Sequence, residues 1–371
     1  MNTKLAPTHQ KLFDLHWVLW FMESNTYSIV DYPFKTCLDS YLLSDSLEDF
    51  GRILKSDNQN LDADNIAKTI YTYLKNCNIP YISEAENNLN QDFTKRHILK
   101  QYVIKDKTIQ IYFDSELVLK SIHPALAHLE SNNIRAQSTF DVYLKNEHLH
   151  LFKDSKLIKK VPQTQHHLIQ GKFLMLLLCS LYENDESDWI GTLHGSTITN
   201  EESSLLFAGK SGKGKSTLCA ILASHGYKLL ADDVSPLLSE TLNIYYNPAA
   251  VSIKKGAFPT FNAMIDNFDT LPSIEYNKTK GALKYVPLPS PEKSHYPCKA
   301  IVLVNYLENT KTILEKATIE AVLETLIPDS WLSPKSQHAK QFLDWLETLD
   351  LYELTYSDTN DMLEQVSQLF E

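Results

Sequence analysis

Glycine is unevenly distributed along this 371-residue chain, and its distribution constrains the fold more than any other feature. Only ten glycines occur, and six of them lie between Gly191 and Gly226. Residues 209–216 of that stretch read Gly-Lys-Ser-Gly-Lys-Gly-Lys-Ser and match the pattern G-x-x-x-x-G-K-[ST] at every required position. An apolar run at 205–207 precedes this segment and a helical pattern at 216–225 follows it. The order predicts a strand, a glycine-rich turn and a helix.

A glycine-rich turn between a strand and a helix is suited to hold phosphate groups. Glycine lets successive backbone N–H groups turn toward an anion, and the positive end of the helix dipole adds to the attraction. In this pattern the lysine contacts the β- and γ-phosphates of a nucleotide, and the hydroxyl after it ligates magnesium. The sequence therefore predicts ATP and Mg²⁺ as cofactors, with Ser216 as a metal ligand. The predicted nucleotide-binding residues are Gly209, Ser211, Gly212, Lys213, Gly214, Lys215, Ser216 and Thr217.

Two adjacent carboxylates follow the next predicted strand. Asp232 and Asp233 come directly after residues 228–231, seventeen and eighteen residues beyond Lys215. In a parallel sheet, this strand end would lie beside the glycine loop. One carboxylate can hold magnesium, directly or through water, while the other orients or deprotonates an accepting hydroxyl. An exposed acidic turn or a helix cap is the alternative interpretation.

A histidine precedes the loop. His194 lies fifteen residues before Gly209, and Gly195 permits a tight turn beside it. Together, His194-Gly195, the glycine loop and residues 229–233 resemble the catalytic domain of bacterial HPr kinase/phosphorylase in order and spacing. They are also similar to more distant kinase-like relatives of that family. The resemblance implies an α/β P-loop kinase domain of the HPr kinase/PEP carboxykinase type over residues 186–371.

The resemblance also implies an activity and a role for each site residue. The activity is ATP-dependent transfer of the γ-phosphate to a serine hydroxyl. Lys215 and Ser216 keep their roles on the phosphates and the metal. Asp233 would be the base, Asp232 would support the metal or the geometry, and His194 would assist the acidic pair. The assignment of the base stays open, because either carboxylate can approach the acceptor.

One segment departs from the family pattern. Residues 252–256 read Ser-Ile-Lys-Lys-Gly, and they lack the glutamate and arginine that HPr kinases carry around this glycine. This departure argues against HPr as the acceptor, and it leaves open whether the reverse phosphorylase reaction occurs. Lys254 or Lys255 is predicted to approach the phosphate that is transferred, and Lys254 is the one included among the predicted nucleotide-binding residues. A solvated basic turn is the alternative interpretation of these lysines.

The first part of the chain does not resemble the N-terminal domain of HPr kinases. Residues 15–21 and 27–32 alternate apolar and polar side chains, whereas 47–54 and 66–74 have helical spacing. This order predicts a small strand-plus-helix module over residues 1–77, which resembles a PqqD-like peptide-binding module. HPr-kinase-like relatives near peptide-modification systems phosphorylate serine in peptides, so the resemblance implies a peptide or protein that bears serine as the acceptor. Packing of amphipathic helices into a core explains the same pattern.

An α+β region is predicted over residues 78–185, ahead of the kinase domain. It begins with a polar stretch at 83–96 and contains two hairpins. Two helices are also predicted in it. The hairpins pair 101–104 with 108–113 and 140–144 with 149–152, and the helices span 116–129 and 168–182.

Composition excludes several classes of protein. The chain has 46 acidic and 35 basic residues, and its net charge of −11 opposes binding to nucleic acid and to anionic membranes. Five cysteines without metal-ligand spacing fit a reducing compartment. The most apolar stretch, 173–181, is far shorter than the about 20 residues that span a bilayer. These features predict a soluble cytoplasmic protein, and they leave open whether it forms a homo-oligomer.

Two other functions remain compatible with the sequence. In the first, Asp232 or Asp233 positions water instead of a hydroxyl, so that the chain is a nucleotide-dependent ATPase or switch with a partner-binding N-terminal region. In the second, the acceptor is a small molecule with a hydroxyl group. Label transferred from γ-labelled ATP to serine would distinguish a protein kinase from both.

Overall fold

The computed structural model describes residues 3–57, 62–80, 89–132, 135–277 and 281–371. Within these ranges the chain forms a mixed α/β structure with four β-sheets. The predicted α/β class is confirmed at this level, whereas the division into three domains stays a prediction. Residues 83–88 of the predicted polar stretch lie outside the described residues. No helix in the described ranges is both long and apolar enough to cross a membrane.

The first sheet has three antiparallel strands, and three helices follow it. These elements are β1 (His9–Phe13), β2 (His16–Phe21), β3 (Thr26–Asp31), α1 (Tyr32–Leu43), α2 (Leu47–Asp57) and α3 (Ala63–Cys77). Strand β2 and the helices share one core, which includes Leu19, Phe21, Leu38, Phe50 and Leu74. The sequence predicted β2, β3, α2 and α3 but missed β1 and α1. Helix α1 begins where a strand end was predicted, because the carboxylate of Asp31 accepts the N–H of Phe34 at 2.8 Å and caps it.

The second sheet has five strands in the order β4-β5-β6-β7-β8, and α6 packs on it. Its elements are β4 (Ile98–Ile104), β5 (Lys107–Phe113), α4 (Glu116–Leu119), α5 (His123–Leu126), β6 (Ser138–Lys145), β7 (His148–Lys153), β8 (Lys156–Pro162) and α6 (His166–Tyr182). Both predicted hairpins are present, but β5 and β6 run parallel, so the sheet is mixed.

The predicted helix over 116–129 is wrong as one element. The structure has two four-residue helices, α4 and α5, followed by a single 3-10 turn. Pro124 in the first turn of α5 lacks an N–H group, so it cannot bond to the carbonyl four residues earlier, and its ring crowds that carbonyl. The apolar spacing continues across the break, which is why the sequence pattern alone indicated one helix.

The largest sheet has ten strands and carries the glycine loop, and a small three-stranded sheet lies beside it. Its strands are β9 (Trp189–Leu193), β10 (Ser196–Thr199), β11 (Ser204–Ala208), β12 (Lys228–Ala231), β13 (Ser235–Leu238), β14 (Asn243–Tyr245), β18 (His295–Tyr306), β19 (Ile313–Lys316), β20 (Trp331–Leu332) and β21 (Asp350–Tyr356). The small sheet contains β15 (Val251–Lys254), β16 (Ile274–Asn277) and β17 (Gly281–Val286). The helices of this part are α7 (Lys215–Ser224), α8 (Phe258–Met264), α9 (Ile319–Leu326), α10 (Ser336–Glu347) and α11 (Thr359–Gln368).

Several strands of the large sheet end at the same edge because they run in the same direction. Strands β11, β18 and β21 are parallel neighbours, and β10 lies antiparallel between β11 and β12. Consequently β11, β12, β18 and β21 all end where β10 begins. We call this the loop edge, because the segment that follows β11 is the glycine loop. The predicted strand-helix-strand order over 205–231 is present, but β10 separates its two strands.

Both faces of the loop-bearing strand are buried. Leu205 and Phe207 pack in a core with helices α7 and α11, whereas Leu206 and Ala208 pack in a second core with α9 and α10. A strand covered on both faces has a continuous apolar sequence instead of an alternating one. This burial explains the unbroken Leu-Leu-Phe-Ala run before the loop and makes β11 a rigid support for it.

Candidate functional site

The glycine loop joins β11 to α7 and requires glycine at two points. At Gly209, a Cβ atom would lie 2.8 Å from the carbonyl oxygen of Val304, so any side chain would collide with β18. At Gly214, φ is +97°, a conformation that L-residues rarely adopt, and α7 begins directly after it. The loop is tied to β18 by a hydrogen bond of 3.1 Å from the N–H of Tyr306 to the carbonyl of Lys213.

Lys215 is buried although it carries an ammonium group. Its side chain is at the start of α7, and its Nζ donates to the backbone carbonyl of Gly209 at the other end of the loop. Burial lowers the pKa of Lys215, and the charges of Asp233 and Asp232 act in the opposite direction. A buried ammonium that is held across the loop is well placed for a charge-assisted contact with an anion.

Asp232 is the most highly connected carboxylate at the loop edge. Oδ1 accepts hydrogen bonds from the hydroxyls of Ser196 (2.6 Å) and Ser216 (2.8 Å), and Oδ2 accepts the N–H of Ser252 at 3.1 Å. Burial raises the pKa of Asp232, the charge of Asp233 raises it further, and the three hydrogen bonds oppose the shift. The carboxylate therefore joins β10, α7 and β15 at one point.

The contact between Ser216 and Asp232 fits a magnesium site. Mg²⁺ in nucleotide sites is usually held by one or two protein oxygens together with phosphate oxygens and water. Ser216 and Asp232 provide a hydroxyl and a carboxylate oxygen that touch each other at 2.8 Å. The described residues contain no group of three or more His, Cys, Asp or Glu side chains suited to a metal. The fit therefore rests on this pair and on the ligands that a bound nucleotide would add.

Asp233 differs from Asp232 in the exposure of its side chain and in its backbone conformation. Its side chain is 71% exposed, whereas Asp232 is almost fully buried. Its φ is +65°, and the N–H of Val234 donates to the carbonyl of Asp232 at 2.7 Å. This is the strained form of the three-residue γ-turn, and strained backbone of this kind clusters at functional sites. The turn separates the two carboxylates, so that one faces the protein interior and the other is accessible.

His194 lies next to the accessible carboxylate. Its Nδ1 is 3.6 Å from Oδ1 of Asp233, and its side chain is 22% exposed. The backbone turn beside it requires Gly195, where a Cβ atom would lie 2.8 Å from the carbonyl oxygen of Phe207. The structure thus brings together the predicted residues His194, Asp233 and Lys215, and their catalytic roles stay predictions.

Lys254 reaches the glycine loop from the small sheet. Its Nζ donates to the hydroxyl of Ser211 at 3.3 Å, and its charge contributes to lowering the pKa of Lys215. The neighbouring Lys255 is exposed and begins a 3-10 turn. Of the two lysines of this segment, the structure therefore brings Lys254 to the loop.

The sequence interpretation missed the serines that position the site. Ser196 and the backbone of Ser252 hold Asp232, and the hydroxyl of Ser330 accepts the N–H of His194 at 2.8 Å. Ser330 lies 136 residues from His194 and is brought to it because β20 pairs with β9. A local signal was available for Ser196, because it lies two residues after His194 at the start of the buried strand β10. No local pattern marks Ser330.

The N-terminal sheet contacts the elements that support His194. Asn25 donates to the carbonyl of Leu332 in β20 at 2.9 Å, and Lys11 forms an ion pair with Asp344 of α10 at 2.6 Å. Val18 belongs to the core that also contains Leu332. The N-terminal strands therefore pack directly beside the strand that places Ser330.

Comparisons with known proteins give limited information on this chain. No protein-family model matches it, and a search of curated proteins found no match. Among solved structures it is similar to the HPr(Ser) kinase/phosphatase from Coxiella burnetii, with 13% sequence identity and a TM-score of 0.22. That likeness covers 48% of this chain and 93% of the other. At these values it does not establish a shared fold or family, so the function is inferred from the site itself.

Proposed function

We propose that this protein is an ATP- and Mg²⁺-dependent kinase that transfers the γ-phosphate to a hydroxyl group, on serine of a peptide or protein. The observation that supports this proposal most is the division of the aspartate pair. Asp232 is buried against Ser216, as a metal-supporting carboxylate should be, while Asp233 is exposed beside His194. A kinase with a large acceptor needs an accessible carboxylate of this kind. An ATPase does not need one, although it can use such a group to orient water.

Each residue at the loop edge has a role in the proposed reaction. The loop amides and Lys215 bind the β- and γ-phosphates. Ser216 and Asp232 would hold the metal, which neutralises phosphate charge when it is bound. Asp233 accepts the proton of the attacking hydroxyl, and His194 at 3.6 Å orients that carboxylate. The acceptor oxygen bonds to the γ-phosphorus, the bond from that phosphorus to the bridging oxygen breaks, and ADP leaves.

The proposed acceptor is a peptide or protein because the N-terminal strands are joined to the site. Asn25 and Lys11 connect those strands to β20 and α10, and β20 pairs with the strand that leads to His194. This chain of contacts from the N-terminal strands through β20 to His194 supports an acceptor that binds the N-terminal module. The resemblance of residues 1–77 to a peptide-binding module supports the same class of acceptor.

The direct test is incubation of the protein with γ-labelled ATP, Mg²⁺ and a library of serine-containing peptides. We expect label on serine, located by mass spectrometry, and none when Mg²⁺ is chelated. Release of labelled inorganic phosphate at the same rate with and without peptide would indicate an ATPase instead. Label on a small-molecule alcohol and on no peptide would replace the proposed acceptor class.

Ser330 gives a second test, since it positions His194 without belonging to the loop. Replacing Ser330 with alanine leaves the N–H of His194 without its partner and should lower phosphate transfer about 10–100-fold by misplacing the catalytic pair. ATP affinity should stay unchanged. Ser330→Thr keeps the hydroxyl and is the matched control, which should restore most of the activity. Equal loss in both variants, or a parallel loss of ATP affinity, would contradict the positioning role.

A further inference from the structure

The loop edge has two sides, and the groups discussed so far occupy one of them. Asp232 and Asp233 follow β12, and His194 lies two residues before β10; both of these strands are on one side of β11 in the strand order. Strands β18 and β21 lie on the other side, run parallel to β11 and end at the same edge. If the γ-phosphate lies near Asp232, as in the proposed function, the opposite side of β11 is left for the rest of the nucleotide. The ends of β18 and β21 are therefore the candidate place for its base.

Three exposed large apolar side chains lie at that place, and the other described ones lie within residues 12–117. In the described part of residues 120–371, the exposed large apolar side chains are Tyr306 (42%), Leu307 (51%) and Ile313 (51%). Tyr306 ends β18, and Ile313 begins β19 opposite Thr355 of β21. Single exposed apolar residues are common on protein surfaces, but a group beside a binding loop indicates a contact surface.

Tyr306 is fixed relative to the glycine loop. Its N–H donates to the carbonyl of Lys213, and its Cβ is 3.2 Å from where a Cβ of Gly214 would lie. Its ring packs edge-on against the ring of Tyr356, with centroids 5.5 Å apart and an interplanar angle of 71°. Tyr356 is only 2% exposed, so it forms a rigid support behind the partly exposed ring.

We propose that Tyr306, supported by Tyr356 and flanked by Leu307, is the nucleobase subsite of this protein and stacks on the base of a nucleoside triphosphate. The inference rests on the proposed function, because it requires a nucleotide at the glycine loop. An aromatic ring held at a fixed distance from a phosphate site provides the flat apolar surface on which a base stacks.

The test compares two ligands that share three phosphates and differ in the base. Affinities for Mg-ATP and for Mg-tripolyphosphate are measured by calorimetry on the full chain. Tyr306→Ala should weaken ATP binding about tenfold, as expected for the loss of one stacked base, and leave tripolyphosphate binding unchanged. Tyr306→Phe keeps the ring and should bind ATP like wild type.

A matched control comes from Tyr71 on α3, which is 41% exposed and therefore similar to Tyr306 in exposure. Tyr71→Ala should change neither affinity. If Tyr306→Ala weakens both ligands equally, Tyr306 supports the loop and the base subsite is overturned. If Tyr306→Ala binds ATP like wild type, the subsite is also overturned, while the loop assignment survives. If folded wild type binds neither ligand, the proposed function itself fails, and the subsite fails with it.

Discussion

Replacement of Lys215 by alanine should reduce ATP-dependent phosphate transfer about 100-fold or more, the scale of losing one preorganised charged donor at a reacting group. The variant removes the ammonium that is buried across the loop, but it leaves the glycines that shape the loop. Affinity for Mg-ATP and for Mg-tripolyphosphate should fall together, because both ligands carry the phosphates that Lys215 contacts. Steady-state transfer of labelled phosphate and calorimetric titration measure the two effects.

A lysine of the same loop provides the control. Lys210 is exposed and occupies a position at which the loop pattern accepts any residue. Lys210→Ala changes the net charge by the same amount as Lys215→Ala, so it reports how much of the loss comes from general electrostatics. Normal turnover by folded Lys215→Ala protein would contradict the assignment of residues 209–216 as a phosphate site.

The sequence predicted the local parts of this site because short-range rules determine them. A positive φ at Gly214 and the close approach of Gly209 to β18 leave glycine as the residue that fits both positions. The apolar run before the loop reflects burial of both faces of β11. Similarly, Asp232 follows a strand whose end could be predicted from four residues.

The parts that the sequence did not predict depend on tertiary contacts or on a break in a periodic pattern. Ser330 contacts His194 because β20 pairs with β9, and no sequence pattern near either residue indicates this pairing. Likewise, apolar spacing does not indicate that β10 lies between β11 and β12. Pro124 interrupts the predicted helix without interrupting its apolar spacing. The different environments of Asp232 and Asp233 come from one strained turn, which the Asp-Asp sequence does not specify.

That turn allows the two carboxylates to be tested separately. Asp233→Asn keeps the size of the side chain and removes its capacity to accept a proton, so transfer should fall about 100–10,000-fold with Mg-ATP affinity largely kept. Asp329 is the control, because its charge and that of Asp233 both raise the pKa of Lys215. Asp329→Asn alters the same electrostatic field without touching the proposed base. It should therefore keep most of the activity.

Asp232→Asn should instead raise the magnesium concentration needed for half-maximal binding of ATP, about 10–100-fold. Its amide oxygen can still accept from Ser196 and Ser216, but its amide nitrogen would face the N–H of Ser252, so thermal unfolding must be measured in parallel. Titration of ATP at several magnesium concentrations, together with transfer rates, separates the roles. If Asp233→Asn transfers phosphate normally while Asp232→Asn is inactive with unchanged magnesium dependence, Asp232 is the base. If both folded variants are active, the catalytic centre lies elsewhere, because no proton acceptor and no metal-supporting carboxylate would then be needed at this turn.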